Sequence, residues 1–238
     1  MKNLKISVCG LSILLMLSGC DASNTTKGAA IGAGGGAAIG AAIGQLIGHN
    51  TKGTLIGAAI GTAVGTGAGV LIGKKMDKAA AAAAAVQNAK VEEVTDANGL
   101  KAVKVSFDSG ILFPTSSATL QAKAKSSLTQ FAGVLKQYAD ADVAIQGYTD
   151  NAGWKNSTPE QSVQKNQNLS LQRAQSVQEY LLLQGVGSSQ IKSVEGLGEA
   201  NPIADNSTKA GREQNRRVEV YLYASEEMIK AANAGTLN

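Results

Sequence analysis

Twelve glycines that recur every fourth residue constrain the fold of this chain more than any other feature of its sequence. They form two runs, residues 28–48 and 53–73, and no charged residue interrupts either run. A four-residue period places the glycines along one stripe of a helix, where a second backbone can approach closely. In water each glycine costs a helix about 1 kcal/mol relative to alanine, so these helices favour surroundings that reward close packing. The repeating positions are Gly28, Gly32, Gly36, Gly40, Gly44, Gly48, Gly53, Gly57, Gly61, Gly65, Gly69 and Gly73.

The length of each run favours a helical hairpin that inserts into a membrane or associates with one. Each run has 21 residues, which span roughly 31 Å as a helix, close to a hydrocarbon core of about 30 Å. The polar residues 49–52 fit the tip of the hairpin. A self-associating hairpin in water and a flexible Gly/Ala spacer remain as alternatives, although the strict period argues against the spacer. Neither run has the spacing of a nucleotide-binding glycine loop.

The first residues predict a lipoprotein signal peptide at 1–19. Lys2 and Lys5 precede an apolar stretch, residues 6–17, that is too short to span a bilayer. The stretch ends in LSGC at residues 17–20, which resembles a lipobox with Cys20 as the lipidated residue. Cys9 leaves with the signal peptide, so the mature chain would hold no other thiol. We therefore expect a lipid-anchored chain with a short linker at 20–27 before the hairpin at 28–73.

Residues 74–90, with the sequence KKMDKAAAAAAAVQNAK, predict a helical spacer. Alanine has the highest helix propensity, so this helix is expected even without tertiary support. Lys74, Lys75 and Lys78 lie where an apolar hairpin would leave a membrane. The spacer would hold the next domain about 25 Å from the membrane; a solvated helix without that role is the alternative.

Residues 91–224 predict one globular domain, followed by a tail at 225–238 with a short helix and then disorder. The pattern of apolar residues and turn signals predicts strands and helices in alternation, and this order favours a two-layer α/β sandwich with its helices on one face. Ser117 or a neighbour is expected to cap the first long helix. The predicted elements are a hairpin at 91–107 with its turn at Asn98-Gly99, a helix at 118–138, a strand at 142–148, a helix at 166–184, a strand at 191–196, a short helix at 207–212 and a strand at 217–223.

Charged side chains at the ends of three elements indicate a site for a zwitterion. Asp150 follows a strand, Arg173 lies on a helix, and Arg216 and Arg217 open the last strand. A carboxylate suits an ammonium group, and a guanidinium binds a carboxylate through two charge-assisted bonds. Structural roles are the alternatives: Asp150 would shape its turn, Arg173 would bridge to Asp150, and Arg217 would form a surface pair or pack its stem.

Four blocks of sequence, in this order, resemble the peptidoglycan-binding domain of the OmpA-like family. The resemblance implies an envelope lipoprotein of the outer membrane whose periplasmic domain grips diaminopimelate of the wall's stem peptides. It places Asp150 on the ligand's ammonium and Arg173 on its carboxylate, with Asn166, Thr149 and Arg216 also at the ligand. The blocks are GYTDNAG at 147–153, NLSLQRAQSVQEYL at 168–181, the run at 196–206 and GREQNRRVEV at 211–220.

Two segments depart from the family pattern. The family often carries acids before its first helix, whereas residues 113–116 read FPTS, with Asp108 out of register. The loop at 154–165 is longer than usual and is expected to reshape or cover the pocket. Trp154, the only tryptophan in the chain, would then either stack on a sugar or anchor this loop.

Composition argues against catalysis and against nucleic acid. The formal charge of +4 falls to about +2 without the two lysines of the signal peptide, and aromatic residues make up only 4% of the chain. The single histidine, His49, lies in the hairpin tip, so a Ser-His-Asp triad and a zinc site lack their groups. We predict a binding protein without catalytic residues, cofactor or metal. The alternative is a membrane-inserted zipper oligomer with the domain as a tether only, and Asp21 after Cys20 leaves the inner membrane open.

Overall fold

The computed structural model describes residues 66–96 and 98–237. The predicted signal peptide, Cys20 and most of the glycine-zipper hairpin lie outside these residues. Within the described ranges, no helix combines the length and the apolar character needed to cross a membrane.

Five strands and six α-helices make up the described part of the chain. The strands are β1 (Ala89–Thr95), β2 (Lys101–Asp108), β3 (Ala141–Gly147), β4 (Ile191–Gly196) and β5 (Arg217–Ala224). The helices are α1 (Thr66–Ala84), α2 (Ser109–Leu112), α3 (Ala122–Gln137), α4 (Pro159–Leu183), α5 (Lys209–Asn215) and α6 (Glu226–Asn233), and a 3-10 turn spans Ser188–Gln190.

The strands form one sheet in the order β1-β2-β5-β3-β4. Only β3 and β4 run parallel among the described pairs, and α4 connects them. Side chains alternate across the sheet, so Val218, Val220 and Leu222 join the core cluster while Tyr221 lies on the other face. All long helices contribute to that one cluster. The predicted two-layer α/β fold is therefore confirmed. The zipper hairpin predicted at 28–73 lies outside the described residues up to residue 65, and its last residues, 66–73, belong to α1.

Helix α1 is packed into the domain. Ile72, Met76 and Ala79 have no exposed surface, and the helix contacts β1, β2 and α6. α1 ends at Ala84, and residues 89–90 of the predicted spacer already belong to β1. The segment thus differs from a free-standing spacer helix, because its apolar stripe covers one part of the sheet.

The C-terminal tail also contributes to this layer. Ser225 caps α6 by accepting a hydrogen bond from the Met228 amide at 3.0 Å. Met228, Ile229 and Ala232 are buried in the same core cluster as α1. The predicted short helix is therefore present, and it packs instead of lying free.

Two helix starts differ from the predictions. Ser117 does not cap α3; its hydroxyl accepts a bond from the Thr119 amide at 3.0 Å, and the N-cap, Gln121, makes no side-chain cap bond. α4 begins at Pro159, before residue 166, because Thr158 and Gln161 form a reciprocal capping box with bonds of 3.2 and 3.0 Å. The predicted long loop at 154–165 is therefore wrong, since its second half is helical.

Two glycines allow α4 to lie directly against the sheet. Gly147 and Gly196 are neighbours in the parallel ladder, at the ends of β3 and β4. A Cβ atom would lie 2.1 Å from the carbonyl oxygen of Ser170 if added at Gly147, and 2.2 Å from the Leu171 nitrogen if added at Gly196. Only glycine permits this approach, which brings the α4 segment 166–173 to the end of the sheet.

Candidate functional site

A pocket of about 680 Å³ opens where β3 ends and β5 begins. Its walls come from the segment that includes α2, the loop after β3, one side of α4 and one side of α5. All five predicted ligand-binding residues line it: Thr149, Asp150, Asn166, Arg173 and Arg216. The sequence signals spread over three elements therefore meet in one place.

Asp150 is buried and held on both of its oxygen atoms. Its Oδ1 accepts a hydrogen bond from the Ala152 amide at 3.2 Å, which shapes the loop. Its Oδ2 pairs with Nη1 of Arg216, whose side chain is 34% exposed. The structure thus gives Asp150 a partner other than Arg173, the partner considered from the sequence. Because Arg216 is partly solvated, a ligand can reach this pair from the pocket.

Arg173 is a buried guanidinium with spare hydrogen-bonding capacity. It is 3% exposed, its Nε donates to the Ser117 carbonyl at 3.0 Å, and its guanidinium lies 5.3 Å from the centre of the Phe113 ring. Its Nη1 has no hydrogen-bond partner among the described residues. Burial, and then the charge of Arg216, lower the pKa of Arg173 to about 10, although Asp150 opposes the change. The group remains a cation at neutral pH, and a carboxylate in the pocket would satisfy its free donor.

Asn166 connects α4 to the loop after β3. Its Nδ2 donates to the carbonyls of Ala152 at 3.2 Å and Asp150 at 3.4 Å. Its Oδ1 accepts from Nε1 of Trp154 at 2.7 Å. These bonds fix the loop that carries Asp150, so Asn166 holds the site together through its protein contacts. A direct bond from Asn166 to the ligand stays a prediction.

Trp154 is an anchor for this loop at the pocket wall. Besides its bond to Asn166, its backbone amide donates to the hydroxyl of Ser162 at 3.0 Å. The ammonium of Lys165 lies 5.8 Å from the centre of its ring. Both partners lie on the first turns of α4, so the helix extension that sequence reasoning missed is what holds Trp154.

Thr149 joins the loop after β3 to the loop after β4. Its amide donates to the Gly198 carbonyl at 2.7 Å, and the Gly198 amide donates to the Ser170 hydroxyl at 2.9 Å. Thr149 is buried, and its hydroxyl has no partner among the described residues. Like Nη1 of Arg173, this hydroxyl is a polar group at the pocket that a ligand could satisfy.

Arg217 lies behind the pocket and is buried, so of the two structural roles considered from the sequence the surface pair is wrong. It is 4% exposed, its Nε pairs with Glu219 at 2.7 Å, and its Nη2 donates to the Asn201 carbonyl at 3.2 Å. Its guanidinium lies 3.8 Å from the centre of the Tyr148 ring. Glu219 also accepts from the Tyr221 hydroxyl at 2.6 Å. This buried network ties β5 to the end of β3, two residues before Asp150.

Asn215 is a supporting residue that the sequence did not single out. It is fully buried, and its Oδ1 accepts from the amides of Ile203 at 2.8 Å and Ala204 at 3.0 Å. Its Nδ2 donates to the Ala204 carbonyl and to Oδ1 of Asn206, both at 2.8 Å. Asn215 thereby fixes the loop at 203–206 to the end of α5, immediately before Arg216.

The segment without acids forms the opposite rim. Phe113, Pro114, Thr115 and Ser116 all line the pocket. Asp108 instead caps α2, where its Oδ1 accepts from the Gly110 amide at 2.7 Å. Acidic side chains are thus replaced by an aromatic ring and small polar groups on this rim.

Comparisons with known proteins agree with this architecture. Among proteins of known sequence, the chain is 40% identical over 143 residues to the probable lipoprotein YiaD of Escherichia coli, which covers 58% of this chain and 61% of that protein. It is 46% identical over 95 residues to the peptidoglycan-binding protein ArfA of Mycobacterium tuberculosis, which covers 40% of this chain and 26% of that protein. The chain thus matches less than two thirds of the length of either relative.

A solved structure and two family models complete the comparison. The cell wall anchor of the type VI secretion system from Pseudomonas aeruginosa aligns with a TM-score of 0.50 and 25% identity, over 63% of this chain and 97% of that one. The OmpA family model matches residues 112–216, and the YMGG-like Gly-zipper model matches residues 1–77. Residues 112–216 are therefore similar to OmpA-family domains, and a segment similar to YMGG-like glycine zippers precedes them.

Proposed function

We propose that this protein is a non-catalytic envelope lipoprotein that tethers the outer membrane to the cell wall by binding diaminopimelate of the stem peptides. The observation that carries the proposal is the unpartnered Nη1 of buried Arg173 in the same pocket as Asp150. A buried cationic donor without a partner is costly, and a carboxylate ligand removes that cost. The similarity to ArfA, a peptidoglycan-binding protein, supports peptidoglycan as the source of the ligand.

The side-chain end of diaminopimelate has the charges that this pocket requires. It carries an ammonium and a carboxylate on one carbon, so the two charges lie close together. Asp150 accepts the ammonium and Arg173 binds the carboxylate, with the Thr149 hydroxyl available to either group. Asn166 and Arg217 keep the surrounding loops in place, so little ordering is required on binding.

The membrane attachment is proposed from the N-terminal sequence. Cys20 carries the lipid anchor in the outer membrane, the domain lies in the periplasm, and the zippers associate with the membrane and with each other. Wild type should incorporate labelled fatty acid, whereas Cys20→Ser should not; wild type that stays unlabelled would contradict lipid anchoring.

Co-sedimentation with insoluble cell wall tests the proposal. Full-length protein in detergent is mixed with purified peptidoglycan that contains diaminopimelate, and the pelleted fraction is measured. Wild type should pellet, whereas Asp150→Ala and Arg173→Ala should remain in solution. Thermal unfolding should show that both variants are still folded at the temperature of the assay. Lys123→Ala, on the exposed side of α3, is the matched control and should pellet. Wild type that stays soluble, or folded variants that pellet equally well, would contradict the proposal.

A further inference from the structure

The pocket carries more positive charge than a zwitterion can balance. Five cationic side chains line it, against the carboxylates of Asp150 and Glu213. A zwitterion is neutral overall, so its binding leaves the excess of three positive charges in place. The five cations are Lys155, Arg173, Lys209, Arg212 and Arg216.

Three of these cations form one wall, which we call the basic face of α5: Lys209, Arg212 and Arg216. Spacings of three and four residues place them on one side of the helix and its end. Nη1 of Arg212 donates to the carbonyls of Asn206 at 2.8 Å and Ser207 at 3.1 Å, which orients the group without neutralising its charge. Lys209 is exposed and makes no ion pair with any residue that the structure describes.

Arg216 is the member of this face that a ligand would release. In the free protein it pairs with Asp150, which is the carboxylate proposed to take the ligand's ammonium. When that ammonium binds, Arg216 must share or leave Asp150, and its partly exposed side chain becomes available to another anion. Glu213, on the same helix, offsets only one of the three charges of the face.

We propose that the basic face of α5 is a second carboxylate subsite. Because of this subsite, the pocket binds stem peptides with a second free carboxylate, in addition to the diaminopimelate zwitterion, more tightly than the same peptides with that carboxylate amidated. This inference rests on the proposed function and specifies its ligand. A tripeptide stem offers two such groups, the C-terminal carboxylate of diaminopimelate and the α-carboxylate of the γ-linked D-glutamate, and amidation removes the charge of either.

Calorimetric titration of the full-length protein in detergent with four synthetic peptides tests the subsite. The parent is L-Ala-γ-D-Glu-meso-diaminopimelate, and the others are its single amides at the C-terminal carboxyl, at the glutamate α-carboxyl and at the distal diaminopimelate carboxyl. One or both of the first two amides should bind about two- to fivefold more weakly than the parent at low salt. The amide that binds more weakly identifies the carboxylate at the subsite. The difference should shrink as salt is added.

Lys209→Gln connects the effect to the basic face of α5. The variant should bind the parent peptide about two- to fivefold more weakly than wild type does. For the amide that wild type binds more weakly than the parent, variant and wild type should have equal affinity. Lys123→Gln, the control, should discriminate as wild type does. Equal affinity of wild type for the parent and the first two amides would overturn the subsite while the proposed function stands. The distal amide reports on Arg173, and if no peptide binds, both the subsite and the proposed function are refuted.

Discussion

Replacing Gly147 by Ala should damage the fold and the site together. The new Cβ would lie 2.1 Å from the Ser170 carbonyl oxygen, whereas an ordinary contact is 3.4 Å or more. The helix must therefore retreat by about 1.3 Å, the difference between these two distances. The contact is made by α4 backbone, which no side-chain rotation can relieve. The same displacement moves Arg173, less than one turn further along α4, away from the pocket.

We expect a loss near the upper end of the overpacking range, about 3 kcal/mol. For a domain of this size, that loss lowers the Tm by roughly 6–12 °C. Thermal unfolding of the full-length protein in detergent, followed by fluorescence, measures the change. Trp154 is the only tryptophan, so the signal reports on the domain and its pocket wall.

Gly133→Ala is the matched control. Gly133 lies in α3, and an added Cβ there would meet no atom within 4 Å. Alanine should therefore stabilise this helix by up to about 1 kcal/mol.

At a temperature where Gly147→Ala is still folded, its binding to peptidoglycan should also be weaker. An unchanged Tm for Gly147→Ala would refute the argument that α4 is seated on the sheet through a glycine contact.

Three further predictions concern the packing of α1, a buried turn and the network behind the pocket. Ile72→Ala should cost about 2–4 kcal/mol in thermal unfolding, whereas the exposed Val70→Ala should change stability by no more than about 0.5 kcal/mol; equal effects would contradict the packing of α1. Burial raises the pKa of Asp96 in the folded state. Its ionisation therefore destabilises the fold increasingly as pH rises from 3.8 through the raised pKa. Asp96→Asn, which cannot ionise, should gain stability relative to wild type between pH 3 and pH 7. If the stability gained by Asp96→Asn over wild type became smaller as pH rises, the raised pKa of Asp96 would be contradicted. Arg217→Met should cost about 3–5 kcal/mol by leaving Glu219 buried without its partner, and Arg217→Met with Glu219→Gln should recover part of that loss in the same unfolding assay; no recovery would contradict the pairing.

Asparagine can replace Asp96 because the hydrogen bonds that Asp96 accepts do not require a charge. Oδ1 of Asp96 accepts bonds from the amides of Asn98 at 2.8 Å and Leu100 at 2.9 Å. An asparagine carbonyl can accept both bonds without a buried charge. Asp96→Ala, which loses both bonds, should be less stable than Asp96→Asn at every pH.

The fold class could be predicted because local signals and apolar periods agreed. The Asn98-Gly99 turn marks the hairpin, and Gly99 does adopt a positive φ of 73°. The predicted end of the second long helix at residue 184 is a local feature as well, because α4 ends at Leu183 and is followed by Gly185, which has a φ of 86°. These features are local, so they do not depend on the rest of the chain.

The start of α4 and the packing of α1 were missed for different reasons. The capping box of Thr158 and Gln161 was readable in the sequence but stood inside a stretch interpreted as an inserted loop. In α1, the high propensity of alanine was sufficient to predict a helix, which hid the spacing of Ile72, Met76 and Ala79. Propensity predicts that a helix forms; only the tertiary fold decides what it packs against.

Part of the pocket lining could be predicted, but not the pairing of its charged groups. Five lining residues were named from motifs that resemble the family, whereas Lys155, Lys209 and Arg212 were not named, and a ligand-binding role of any of them stays a prediction. Which guanidinium pairs with Asp150 depends on side-chain conformations set by the whole pocket, and Arg216 rather than Arg173 has that place. The role of Asn215 depends on the conformation of the loop at 203–206, 9–12 residues before it, which no periodicity or turn signal indicates.

The most direct test of the central claim is a calorimetric comparison of L-Ala-γ-D-Glu-meso-diaminopimelate with L-Ala-γ-D-Glu-L-Lys on the full-length protein in detergent. Both peptides carry a side-chain ammonium for Asp150, but only diaminopimelate has a carboxylate on the same carbon for Arg173. We predict that the diaminopimelate peptide binds and that the lysine peptide binds at least about tenfold more weakly, a difference of about 1.4 kcal/mol. Equal binding of the two, or no binding of the diaminopimelate peptide, would contradict the claim that Asp150 and Arg173 together hold the zwitterionic end of the stem peptide.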